Sequence, residues 1–236
     1  MWWVSCCSAS HTTRAWRLEV APRLESWERA GHPSQQALLA YLEHVEAAVA
    51  PNMRQHAGHA VALRLTAGLP ADVALIGAGG DLDNYLYPVV RRLGADRVAS
   101  AWARKLHGGS SICVQAAAPA VGDATAGWNS ARARTTRSSQ SRGWKGDIAA
   151  QLPPAVAPEG TVELQIAFRA GPQRNWTALW KPAIDALGAI LRVDDAIRPF
   201  SPRDDRITRL GLHHNMALEL DHAVELGVWW RRATCP

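Results

Sequence analysis

Apolar positions recur at two different periods along the first half of the chain. Residues 17–22 (RLEVAP) alternate and predict a short strand. Residues 34–49 (SQQALLAYLEHVEAAV) place Leu38, Leu39, Leu42, Val45, Ala48 and Val49 on one side of a helix. Pro51 and Asn52 follow and predict its end. Residues 60–66 (AVALRLT) return to alternation and predict a strand. A second short apolar run in PADVALIG leads into a glycine-rich turn from Gly77 to Gly80, and then into a helix over 82–93 that Gly94 stops. Residues 110–117 (SSICVQAA) predict another strand.

The same order begins again after Pro158. Residues 161–169 (TVELQIAFR) predict a strand, residues 177–187 a helix ended by Gly188, and residues 222–230 (HAVELGVWW) a closing strand. YLYPVVRRLG (85–94) aligns with LWKPAIDALG (179–188) without a gap, setting Pro88 on Pro182, Val90 on Ile184, Leu93 on Leu187 and Gly94 on Gly188. The expected architecture is α+β: two tandem copies of a small domain, helices packed on a short mixed sheet, over residues 14–120 and 146–236 with a linker at 121–145. A proline near a helix start costs little, because its missing N–H falls among those without an intrahelical partner, whereas a deeper one predicts a kink.

Composition narrows the class. The chain has 236 residues, 47% of them hydrophobic and 20% charged, enough for one large core or two small ones, which excludes a disordered protein. Its 26 Lys and Arg against 21 Asp and Glu give +5, a modest excess that suits a polyanionic partner. No acid falls between Asp123 and Asp147, while Arg132, Arg134, Arg137, Arg142 and Lys145 are all basic. That stretch reads either as a solvated loop or as a segment tracking nucleic-acid phosphates. Cys6, Cys7, Cys113 and Cys235 form no CxxC pair, so neither a disulfide framework nor a zinc site is indicated and a reducing, cytoplasmic setting is expected. The start, MWWVSCCSASHTTR, reads as neither signal peptide nor anchor, and no window holds the roughly 20 apolar residues of a spanning helix, so no membrane partner is expected.

The most pointed chemistry is DLDN at 81–84, opening a helix after the glycine turn. Two carboxylates two residues apart can turn to one side and offer hard oxygen ligands to Mg²⁺. The plainer reading is that Asp81 and Asp83 cap the helix and complement its dipole. VALIGAGGDLDN also has the look of a dinucleotide-binding turn, but the third glycine of GxGxxG would fall on Leu82. His213 and His214 are adjacent and point to opposite sides of a strand, so at most one could serve a site. Eleven tryptophans against two phenylalanines are unusual; Trp176, Trp180, Trp229 and Trp230 fit core packing, or stacking on bases beside a basic groove. Nucleophile motifs such as GxSxG are missing.

Taken with the order of elements, these motifs resemble the RusA-like Holliday junction resolvases. That pattern runs DLDN, a lysine four residues after the second Asp, DAL, then DD before an aliphatic strand. The first half supplies Asp81 to Asn84; the second supplies Lys181, Asp185-Ala186-Leu187 and Asp204-Asp205 followed by Arg206-Ile207. Neither half owns a full set. Tyr87 stands where the first half should have its lysine, Arg91 replaces the DAL aspartate and the later DD is absent unless Asp96 in GADRV stands in for it, while Asn175 and Thr177 stand where Asp81 and Asp83 do. The resemblance implies a Mg²⁺-dependent, structure-selective endonuclease acting on branched DNA. Asp81, Asp83, Asp204 and Asp205 would be metal ligands, Lys181 would stabilise the transition state, and the chain would be a single-chain pseudo-dimer or a homodimer. It equally allows a DNA-binding or structural protein that keeps the fold and has lost the metal site.

Overall fold

Val61–Leu69 (β2) shows why one side of the sheet is covered: its odd-numbered residues, Val61, Leu63, Leu65, Ala67 and Leu69, are all buried in the core. The computed structural model describes residues 15–26, 28–29, 31–77, 80–118, 126–154 and 157–233. Around β2 lie β1 (Trp16–Leu18), α1 (Pro33–Gln55), α2 (Leu82–Leu93), β3 (Val98–His107) and β4 (Ser110–Ala116). The second half holds β5 (Asn129–Thr135), α3 (Arg142–Ala149), β6 (Val162–Ala170), α4 (Trp180–Asp185), α5 (Gly188–Leu191), β7 (Ile207–Met216) and β8 (Val224–Arg232). All eight strands form one mixed sheet in the order β1-β4-β2-β3-β7-β6-β8-β5.

From either edge of that sheet the strands follow the same directions. The β2–β3 and β6–β7 pairs are parallel and every other pair is antiparallel. Both parallel pairs carry a register shift directly after their first paired residues, Val61↔Val98 and Val162↔Ile207. The central β3–β7 pairing is mirrored about Trp102↔Gly211, with Ala101↔Leu212 on one side and Ala103↔Leu210 on the other. One core cluster runs under both halves, from Val45 and Leu86 through Leu212 to Trp144 and Trp180.

Several elements differ from the sequence reading, for identifiable reasons. The first helix runs through Pro51 to Gln55. The proline forfeits one backbone bond, but the last turn is anchored from outside: Asn52 Nδ2 donates to Val114 O at 3.1 Å and Arg97 donates to Met53 O at 2.8 Å. Pro88 is the seventh residue of α2, too deep to be harmless, and the Asn84 carbonyl it leaves without a helical donor accepts the Glu25 N–H at 2.9 Å. The stretch 121–145 is not a bare linker. Residues 119–125 lie outside the description, but 129–135 form β5 against β8 and 142–149 form α3, whose Trp144 and Ile148 are fully buried. Gly188 does not end the second helix but starts α5, after a 3-10 turn (Trp176–Leu179) and α4. β3 carried no clean alternation because Lys105 sits on its covered side. Cys6, Cys7, Cys235 and the 78–79 part of the glycine turn lie outside the described residues. Among the described residues no helix is long and apolar enough to cross a membrane.

Candidate metal centre

Asp81 occupies the N-cap position of α2 with extended backbone (φ −89°, ψ 136°), yet its carboxylate caps no backbone N–H. Its Oδ2 accepts from the Asn84 amide at 3.2 Å. Asp83, one residue into the helix, is 4% exposed. Asp81 thus makes no capping bond of its own, although both acids sit where they complement the helix dipole. Because β3 and β7 run antiparallel side by side, the turn before β7 is brought against the start of α2. Carboxylate oxygens of Asp81, Asp83 and Asp204 all lie within 4.8 Å of one another.

Lys181, on the first turn of α4, closes the cluster. Its ammonium donates to Asp204 Oδ2, lies 4.0 Å from Asp81 Oδ2 and 3.5 Å from Asp185 Oδ1. Asp185 is held in turn by Lys145 Nζ at 2.6 Å. Behind the cluster Lys105 is 3% exposed and donates to Gly80 O at 2.9 Å and to Asp205 O at 2.6 Å, joining the turn before α2 to the turn before β7. Trp180 packs edge-on against Tyr87 at 6.1 Å between ring centres, which fixes α4 against α2.

The electrostatics are those of too many carboxylates for the cations present. Burial, reinforced by Asp204 and Asp81, pushes the Asp83 carboxyl up to about 7 despite the nearby Lys181. Burial and the Asp204 charge also raise Asp81. Burial alone would depress Lys181, but Asp83, Asp204 and Asp185 outweigh it and hold its proton well above the ordinary lysine range. Burial lowers Lys105, against the pull of Asp81, Asp205 and Asp204. An all-oxygen set of three carboxylates with excess negative charge fits a hard divalent cation such as Mg²⁺ and does not fit a soft metal.

The remaining residues singled out from the sequence fall elsewhere. Asp205 is turned away from the cluster: Arg203 clamps it with two bonds of 2.9 and 3.0 Å, and Gly77 N–H donates to it at 2.9 Å. Burial raises its carboxyl, but the Arg203 guanidinium and that N–H hold it below the usual range. It braces the turn and is not placed as a ligand. Arg132 and Arg134 lie along β5, with Arg134 3.9 Å from Glu225. Arg137 pairs with Asp147 at 3.0 Å, Arg142 lies over the Phe200 ring, and Lys145 pairs with Asp185, while Arg132 and Arg134 line one shallow cavity with Arg169. His213 and His214 do diverge: His213 Nδ1 meets Ser100 Oγ at 2.9 Å, while His214 stacks on Trp176 at 5.3 Å. Lys105 and Arg203 were not legible in the sequence, since neither belongs to a spaced motif. Asp185 was legible only as part of the DAL triplet.

The chain matches no family model, and no curated protein matches it. The functional reading therefore rests on the residues themselves.

Proposed function

We propose that the protein is a Mg²⁺-dependent endonuclease acting on branched DNA, built as two tandem copies of a RusA-like domain. The observation that carries this is the meeting of Asp81 and Asp83 from one half with Asp204 and Lys181 from the other. Each half holds part of a phosphodiesterase set, and the parts converge on one point. The duplication is supported by the matching strand order, by the shift after the first pair in both parallel ladders, and by the gapless helix alignment.

A divalent ion held by these carboxylates supplies Lewis-acid polarisation of a phosphoryl oxygen and a lowered pKa for water. The protein's own contributions are positional. Asp81, Asp83 and Asp204 present oxygens within 4.8 Å. Lys181 keeps its proton and places a fixed positive charge at their edge, where negative charge would build on a phosphate. Asp185 and Lys145 orient that lysine, and Lys105 holds the two ligand-bearing turns together.

The direct test is cleavage of four-way, forked and linear DNA with and without Mg²⁺, comparing wild type with Asp81→Asn plus Asp83→Asn. Cleavage of branched DNA that the double substitution abolishes is expected. Binding without cleavage, unchanged by the substitutions, would instead establish a DNA-binding protein that keeps the fold without the metal chemistry.

A further inference from the structure

The two ends of the sheet are related by a two-fold axis through Trp102↔Gly211, so the site has a counterpart position on the other side. Aligning Val98 with Ile207, as both ladders require, sets Ala95 at the place of Asp204. The helix alignment sets Asn175 and Thr177 at Asp81 and Asp83, Tyr87 at Lys181 and Arg91 at Asp185. Asp81, Asp83, Asp185 and Asp204 are thus all neutral or basic at the second position, and only Asp205, which the cluster does not use, has an acidic counterpart in Asp96.

The structure also shows these substitutes committed elsewhere. Asn175 Oδ1 accepts from the Thr177 N–H and hydroxyl at 3.2 and 2.9 Å. The Ala95 carbonyl accepts the Trp176 indole N–H at 2.8 Å. Arg91 lies over the Tyr87 ring at 5.4 Å. Among the described residues the sole cluster of three or more His, Cys, Asp or Glu close enough to hold a metal ion is Asp81, Asp83 and Asp204.

We infer that each chain binds one divalent ion and cuts one strand per encounter, so that its product from branched DNA is a nicked molecule. This rests on the nuclease reading above. In the single step water's oxygen forms a bond to phosphorus, one ester P–O bond breaks, and the proton passes to the departing oxygen, leaving a phosphomonoester and a hydroxyl. A paired second cut requires a second carboxylate set that the counterpart position does not provide.

Two measurements on the wild-type chain test this. Mn²⁺ binding followed by electron paramagnetic resonance should show one ion per chain, and none for Asp83→Asn. A supercoiled plasmid extruding a cruciform, with the protein limiting, should accumulate nicked circles. Two tight Mn²⁺ sites per chain, or linear plasmid formed without a nicked precursor, would overturn the inference and leave the nuclease reading standing. One bound ion with no cleavage of any branched DNA would overturn the nuclease reading itself, and the single cut with it. As a positive control, Ala95→Asp with Asn175→Asp and Thr177→Asp should raise the Mn²⁺ stoichiometry toward two.

Discussion

Asp83 concentrates the physics of the site in one side chain. A carboxyl buried among carboxylates binds its proton more tightly in the folded chain than in the unfolded one, with a folded value of about 7 against an ordinary 3.8. Stability from this group is therefore fully present below the unfolded value and is lost as pH rises through the folded one. In chelator, the melting temperature should fall between about pH 4 and pH 7.5. Asp83→Asn should flatten that slope, and Mg²⁺ should restore stability to the wild type at neutral pH but not to Asp83→Asn. A pH-independent melting temperature in the metal-free wild type would contradict this account. Lys181→Ala removes the nearest counter-charge. Under the proposed nuclease reading, its cleavage rate should drop by roughly 10²- to 10³-fold, the size seen when one preorganised charge-stabilising group is lost, while Mn²⁺ still binds.

At the scale of elements, the site depends on how α4 is seated. Trp180 is 1% exposed, stands edge-on to Tyr87 and to Trp176, and immediately precedes Lys181. Trp180→Ala should cost about 3–5 kcal/mol in chemical denaturation, a loss that also misplaces the lysine. Trp180→Phe should retain most of both. Lys105→Met keeps the side chain's volume but removes the donors to Gly80 O and Asp205 O. It should weaken Mn²⁺ binding while leaving the circular dichroism spectrum unchanged, since the affected turns carry the ligands and little of the core.

The whole molecule is held as one sheet over one core, with β3 and β7 joining the halves by backbone pairing. Calorimetry should therefore show one cooperative unfolding transition, with calorimetric and van't Hoff enthalpies equal. Two resolved transitions would mean that the halves unfold separately and that the carboxylate cluster between them can open without global unfolding. Within residues 132–145, Arg137 is paired with Asp147 of α3 and Lys145 with Asp185. Under the proposed nuclease reading, substituting Arg132 alone should change the salt dependence of DNA binding by at most about one phosphate contact.

Local apolar pattern was enough to place one helix and four strands. α2 runs over residues 82–93 as its apolar spacing predicts, and β2, β4, β6 and β8 lie within about three residues of their expected ends. The acids of DLDN, the lysine at 181 and the Asp204-Asp205 pair were likewise legible as motifs. What failed locally was set by distant partners: β5 is a strand because β8 offers it an edge, α1 passes Pro51 because Val114 and Arg97 anchor its end, and β3 hides behind a buried lysine. Only the tertiary structure decides which of two adjacent acids faces the cluster. Asp204 meets Asp81 and Asp83, whereas Asp205 is taken by Arg203 and Gly77. The sequence determines which groups are available and the local backbone that carries them. Their convergence is a property of the antiparallel β3–β7 seam, because a metal site needs oxygens within a few ångströms and the chain places these more than 120 residues apart.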